Sequence, residues 1–282
     1  MRGVRRISTL LLLAAAIPAP ARAGPFRFVV LGDRTGETQP GVYEQVWHEA
    51  AAENPAFVIA VGDTIQGADD ATAGREWQAW QRIVAPFHRI PLYLVPGNHD
   101  IWSAKSERLF RKYAGRALHY SFDYHQAHFT ILDNSRSEDF SAEELAFLEK
   151  DLAQHRAQPL KFVFSHRPSW LISAVLRNPD FPVQRLARKY GLQYVIAGHV
   201  HEMLHVDLED VSYVSMPSAG GHLRGARKYE DGWFFGYALV EVNGAGVSVQ
   251  VKELKPPHGK GRVTKLEVWG VAGLAGKTTS RK

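Results

Sequence analysis

No cysteine occurs anywhere in the 282 residues. That absence excludes a disulfide framework, a thiolate zinc site and a thiol nucleophile. Any bound metal must therefore be held by imidazole, carboxylate and amide groups. A charge excess is lacking too. The formal net charge of +5 resides mostly in residues 1–23, which carry Arg2, Arg5, Arg6 and Arg22 and no acid; without them 30 basic residues face 29 acidic ones. Charge thus implies no nucleic-acid partner. The apolar run Leu10–Ile17 is too short for a stable membrane span, and there is no internal repeat or low-complexity block.

What is present begins with an export signature. Met1–Arg6 is basic, Leu10–Ile17 is apolar, and Ala21-Arg22-Ala23 is a small-x-small cleavage pattern. Residues 1–23 are therefore expected to be a signal peptide, and the mature chain to be periplasmic or extracellular with no membrane span. The remainder, with 45% hydrophobic and 22% charged residues overall, has the balance of a soluble globular protein. One domain is expected over 24–255. A basic, Gly-rich extension, 256–282, leaves open an extra strand over Val263–Val271 or a loose tail.

Strand-like and helix-like stretches alternate through most of the chain. Phe26–Leu31, Phe57–Val61, Leu92–Val95, Leu118–Tyr124, Ala127–Leu132, Leu160–Phe164 and Tyr194–Ala197 read as strands. Between them, Pro40–Asn54, Asp70–Val84, Ala104–Tyr113, Leu145–Gln154 and Val183–Tyr190 have helical apolar spacing. A Pro- and Trp-rich loop follows His166. After residue 203 the pattern is β only, with strands expected over Leu204–Leu208, Val211–Met216, Trp233–Val242 and Val247–Leu254. Such alternation implies sheets covered by helices, with the late strands adding a second sheet or extending the first.

Five of the apolar runs stop in the same manner. They end at Gly32-Asp33, Gly62-Asp63, Gly97-Asn98-His99-Asp100, Ser165-His166 and Gly198-His199-Val200-His201. Ligands of α/β sheets bind beyond the carboxyl ends of strands, where glycine lets the chain turn sharply. Parallel neighbours would gather two Asp, one Asn and several His at one edge. That donor mix suits Mn, Fe or Zn and is too rich in imidazole for a dedicated Ca or Mg site. It also exceeds the needs of one tetrahedral zinc. Two ions about 3.5–4 Å apart, bridged by a carboxylate and a hydroxide, would use the whole set, and phosphoester hydrolysis is the natural chemistry of such a pair.

As an ordered set these residues resemble the calcineurin-like metallophosphoesterases, from Phe28 to His201. The resemblance implies a four-layer α/β/β/α sandwich of two mixed sheets and a metal-dependent phosphoric ester hydrolase. Its metal-bridging hydroxide would attack a small phosphomonoester or phosphodiester. Asp63 would bridge the two ions, Asn98, His166 and His199 would complete one site, and Asp33 and His201 the other. His99 would assist the departing oxygen, with Asp100 orienting it. The first motif departs from the family's usual Asp-x-His, reading Asp33-Arg34-Thr35. The tyrosine of the purple acid phosphatase branch, three residues after the bridging Asp, is Gln66. Three readings follow: an oxygen ligand from Gln66 or Thr35, water in the gap, or a single tightly held ion. Arg34 is a candidate for substrate phosphate, as are Arg167, directly after a ligand candidate, and His222 in a Gly-rich loop.

Two alternatives compete with this reading. A non-catalytic scaffold binding a partner protein draws on the departure at Thr35 alone. A zinc protease draws on His201-Glu202-Met203-Leu204-His205, but that motif works only on a helix. Here it follows a strand and a glycine break, and in extended chain the imidazoles would lie about 13 Å apart.

Overall fold

The computed structural model describes residues 24–225, 227–271 and 273–274. The expected signal peptide lies outside them. The first strand, β1 (Phe26–Leu31), is apolar on both sides: Phe28 and Val30 enter one core while Val29 and Leu31 enter another. A strand buried on both faces needs a layer on each side, and the rest of the chain supplies them.

Two six-stranded sheets form the middle layers. In the first, β1 pairs in parallel with β2 (Val58–Ala60), which pairs in parallel with β3 (Leu92–Leu94). In the second, β5 (Ala127–Ile131), β6 (Leu160–Phe164) and β7 (Tyr194–Ala197) run parallel, with the antiparallel β4 (Tyr120–Tyr124) at one edge. Phe28, Val30, Phe57 and Ile59 meet Phe129, Ile131, Phe162 and Phe164 between the sheets. The helices α1 (Val42–Ala52), α2 (Ala73–Val84) and α3 (Ala104–Ala114) cover the outer face of the first sheet through Val46, Trp47, Trp77 and Phe110. On the other outer face lie α4 (Ala142–Gln154), the five-residue α5 (Leu171–Val175) and α6 (Pro182–Tyr190). The fold is a four-layer α/β/β/α sandwich.

The late strands divide between the sheets. β8 (Leu204–Leu208) and β9 (Val211–Ser215) complete the second, whereas β10 (Gly236–Asn243), β11 (Gly246–Glu253) and β12 (Val263–Lys265) return to the first, β10 lying antiparallel to β1. Three local expectations change. The Pro- and Trp-rich loop contains α5. The strand expected from Trp233 starts at Gly236. The stretch Val263–Val271 is a strand only over β12 and then forms a 3₁₀ turn, Leu266–Val268, after which Trp269 is fully buried against Tyr229 and Phe234.

Helix ends follow local chemistry. Ser103 caps α3 in a reciprocal capping box with Ser106, and Ser141 caps α4 by accepting from the Glu144 amide at 3.2 Å. These caps fix where the helices begin and hence where the preceding loops, at the carboxyl edge of the sheets, must turn.

Candidate metal centre

The carboxyl ends of β1, β2, β3, β6 and β7 come together where the two sheets abut. Asp33 follows β1, Asp63 follows β2, Asn98 follows β3, His166 follows β6, and His199 and His201 follow β7. All six face one centre. Asp33, Asp63, His166 and His201 are almost completely buried.

Contacts run across the two sheets. His166 sends Nδ1 to the Val61 carbonyl at 2.9 Å, which leaves Nε2 without that proton when the ring is neutral. Nε2 lies 2.9 Å from Asn98 Oδ1, 3.2 Å from Asp63 Oδ1 and 3.2 Å from His199 Nδ1. Asp63, His166 and His199 each present a ligand atom within 4.8 Å of the others. The second group is similar. His201 Nδ1 donates to the His222 carbonyl at 2.9 Å, so Nε2 carries a lone pair 3.2 Å from Asp33 Oδ2. That Nε2 is buried and makes no hydrogen bond. Lone pairs facing carboxylates need a proton or a cation between them. Both groups therefore fit divalent metal ions, and neutral imidazole with carboxylate is a suitable donor set.

Electrostatics divide the histidines. Burial disfavours charge on His166, yet the Asp63 carboxylate outweighs it and raises the imidazole above its ordinary value. Burial together with the His166 charge pushes His199 down to about 4. His201 is raised, the pull of Asp33 exceeding the cost of burial. Without a cation, the carboxylates thus favour a proton on His166 and on His201.

Three of the candidate ligands have strained backbone. Asp63, His199 and His201 have φ of 51°, 70° and 60°, a left-handed conformation that non-glycine residues adopt at a cost. Gly62, with φ of 102°, cannot be replaced because a Cβ would come within 2.5 Å of His166 Nδ1. Gly198 has no room either: a Cβ would lie 2.3 Å from Asp33 Oδ1. Its absence lets the His199 amide donate to both Asp33 oxygens, at 2.9 and 3.0 Å.

The family model for the calcineurin-like phosphoesterases matches residues 26–203. The chain belongs to that family. Among curated relatives of this chain, purple acid phosphatase 23 of Arabidopsis thaliana is 27% identical over 228 residues, 66% of this chain and 49% of the plant protein. The 3',5'-cyclic adenosine monophosphate phosphodiesterase CpdA of Escherichia coli (strain K12) is 27% identical over 199 residues, 67% of this chain and 69% of its own. The chain thus spans about half the length of the plant enzyme. A purple acid phosphatase from yellow lupin (Lupinus luteus) seeds has the same fold, with a TM-score of 0.66 at 17% identity, over 88% of this chain and 54% of its own.

The structure reassigns several expected contacts of this site. Asp100 does not orient His99. Its fully buried carboxylate accepts from the amides of Thr64 at 2.8 Å, Ile65 at 3.2 Å and Gly97 at 3.0 Å. Asp100 thereby braces the turns that carry Asp63 and Asn98, and burial and the nearby Asp63 charge push it up to about 7. His99 is oriented by main chain instead, its Nδ1 donating to the Gln66 carbonyl at 2.5 Å while Nε2 stands 4.0 Å from Asp63.

Arg34 is held away from the ligands. It donates to the Thr64 carbonyl at 2.9 Å, lies over the Tyr43 ring and borders a groove between α1 and α2 with Glu44 and Arg82. The Gln66 side-chain oxygen already accepts from the Thr35 hydroxyl at 2.5 Å and the Glu37 amide at 3.1 Å, and both of its lone pairs are occupied. Thr38 donates to Thr35 in turn at 3.1 Å. A hydroxyl–amide chain therefore stands where the family's usual imidazole would be, and the Gln66 oxygen has no lone pair left for a metal.

Arg167 does approach the centre, and its charge depresses His199 further. Its guanidinium pairs with Glu138. His222 closes the rim, Nδ1 donating to the Gly36 carbonyl at 2.6 Å, with its ring 5.9 Å from that of His201. The protease motif is not helical: His201 lies in a loop and His205 in β8, where it bonds Asp207 at 2.8 Å.

Sequence reasoning missed Asn134. Its side-chain oxygen accepts from the amides of His166 at 3.1 Å and Arg167 at 3.0 Å, setting the loop that carries both. The signal was available, since Ala127–Leu132 also ends in a polar pair, Asp133-Asn134.

Proposed function

We propose that the chain is an exported enzyme that hydrolyses a phosphate monoester or diester at two divalent metal ions, Mn, Fe or Zn. The observation that carries the reading is the convergence of Asp63, His166 and His199 ligand atoms within 4.8 Å of one another. Asp63 would be the carboxylate shared between the two ions. Asn98, His166 and His199 would hold one ion, and Asp33 and His201 the other. When bound, such a pair makes water nucleophilic at neutral pH and neutralises phosphate oxygens.

The chain's own residues supply the rest. His99, a quarter exposed at the mouth, has Nδ1 tied to the Gln66 carbonyl and Nε2 available to hold a proton for the departing oxygen. Arg167 places a cation on the His199 side, suited to a phosphate oxygen. The scaffold reading has Thr35 in its favour, but Asp33, Asp63, Asn98, His166, His199 and His201 lie in mutual contact at one strand edge. Export rests on the basic, apolar and small-x-small order of residues 1–23, and fractionation of expressing cells checks it.

Chelator-stripped protein assayed with an aryl phosphate and an aryl diester, with Mn, Fe or Zn restored, tests the proposal. Turnover should return with metal and stay absent in Asp63→Asn. Turnover that is indifferent to chelation, or absent with every metal, contradicts it.

A further inference from the structure

A second histidine–carboxylate cluster sits at the far end of the second sheet, where β5 begins rather than where it ends. Asp123 and His128 are cross-strand partners on β4 and β5, and His155 caps the end of α4 above them. Their ligand atoms also lie within 4.8 Å of one another. Nothing in the phosphoesterase reading uses these residues. We propose that Asp123, His128 and His155 form a peripheral site for a borderline divalent cation of the zinc type, which ties the β4–β5 hairpin to α4.

The orientation of each imidazole carries the inference. His128 directs Nε2 at the buried Asp151 carboxylate, 2.8 Å away, and turns Nδ1 toward Asp123 at 2.7 Å. His155 donates Nδ1 to the Asp151 carbonyl at 2.8 Å, so Nε2 faces the other Asp123 oxygen at 4.0 Å. Asp151 therefore anchors one nitrogen of each ring and leaves the other, His128 Nδ1 and His155 Nε2, directed at the one Asp123 carboxylate. A metal-bound histidine usually has such a partner on its second nitrogen. Asp151 is itself held, by Ser121 and Thr130 at 2.7 Å each.

The two rings stack face to face at 3.8 Å and 14°, which brings both nitrogens to the same side. His2Asp is a zinc-competent donor set with one position open. Asp123 is 43% exposed and provides the entry path. The competing explanation is a proton shared by His128 between its two carboxylates, with no metal bound.

Zn(II) alone, titrated into chelator-stripped full-length protein, separates the two. His155→Ala and Asp123→Asn alter partly exposed side chains, so both variants should fold. Each is expected to bind one equivalent fewer than the wild type and to lose part of the Zn(II)-induced rise in Tm. The same equivalent should persist when Asp63→Asn and His199→Ala disable the main centre. Equal stoichiometry and equal Tm shifts in the wild type and both variants would overturn the proposal. Because it is read from metal binding, its failure is distinct from failure of the phosphoesterase assay.

Discussion

His166 and Asp63 stand on different sheets, yet His166 Nε2 lies 3.2 Å from Asp63 Oδ1. The contact is possible because Gly62 has no side chain to collide with the imidazole and because Nδ1 is anchored on the Val61 carbonyl. The central pair of the site is thus also a clamp between the two halves of the sandwich.

That clamp makes metal binding pH-dependent. Before a cation binds, the raised His166 holds a proton against Asp63, and the raised His201 holds one against Asp33, while His199, near 4, is already neutral. Each ion should therefore displace about one proton. Below the raised imidazole values, affinity is expected to fall about tenfold per pH unit for each ion as pH falls. Calorimetry in buffers of differing ionisation enthalpy measures the released proton; buffer-independent heats would contradict the assignment.

His99 should affect chemistry without affecting metal content. It is tethered to main chain and is not one of the converging ligands. His99→Ala is expected to lower kcat by about 10²–10⁴-fold, the usual contribution of a general acid. Elemental analysis should show the wild-type metal content, and a loss of metal in the variant would instead make His99 a ligand.

The Asp33–His201 site lacks the imidazole that the family motif usually supplies, since Thr35 is bonded to Gln66. It should be the weaker of the two. Thr35→His, which restores the family motif, should tighten binding of the second ion. A titration showing two ions of equal affinity in the wild type would count against this ranking.

The stretch 256–271 belongs to the fold. Trp269 is fully buried against Tyr229 and Phe234. Trp269→Ala is expected to cost about 3–5 kcal/mol, the range for deleting a buried aromatic side chain. Urea denaturation checks it; a change under about 1 kcal/mol would place the segment outside the cooperative unit.

Much of this was legible in the sequence because it depends on local patterns. Double-sided apolar strands implied covered sheets, and Gly62-Asp63 or Gly198-His199 marked sharp turns at strand ends. Contacts between distant segments were not legible. Asp100 adjoins His99 in sequence but bonds Thr64 and Ile65, because the β2 and β3 turns pack side by side. Arg34 adjoins Asp33 but points away from it, toward Tyr43. The return of β10 to pair with β1 was equally hidden, since strand alternation does not say which sheet a late strand joins.

The most direct test of the central claim is metal content and turnover measured on the same samples of wild type and His166→Gln. Loss of at least one tightly held ion together with loss of phosphoester hydrolysis is the expected result. Wild-type metal content and wild-type turnover in His166→Gln would contradict the account.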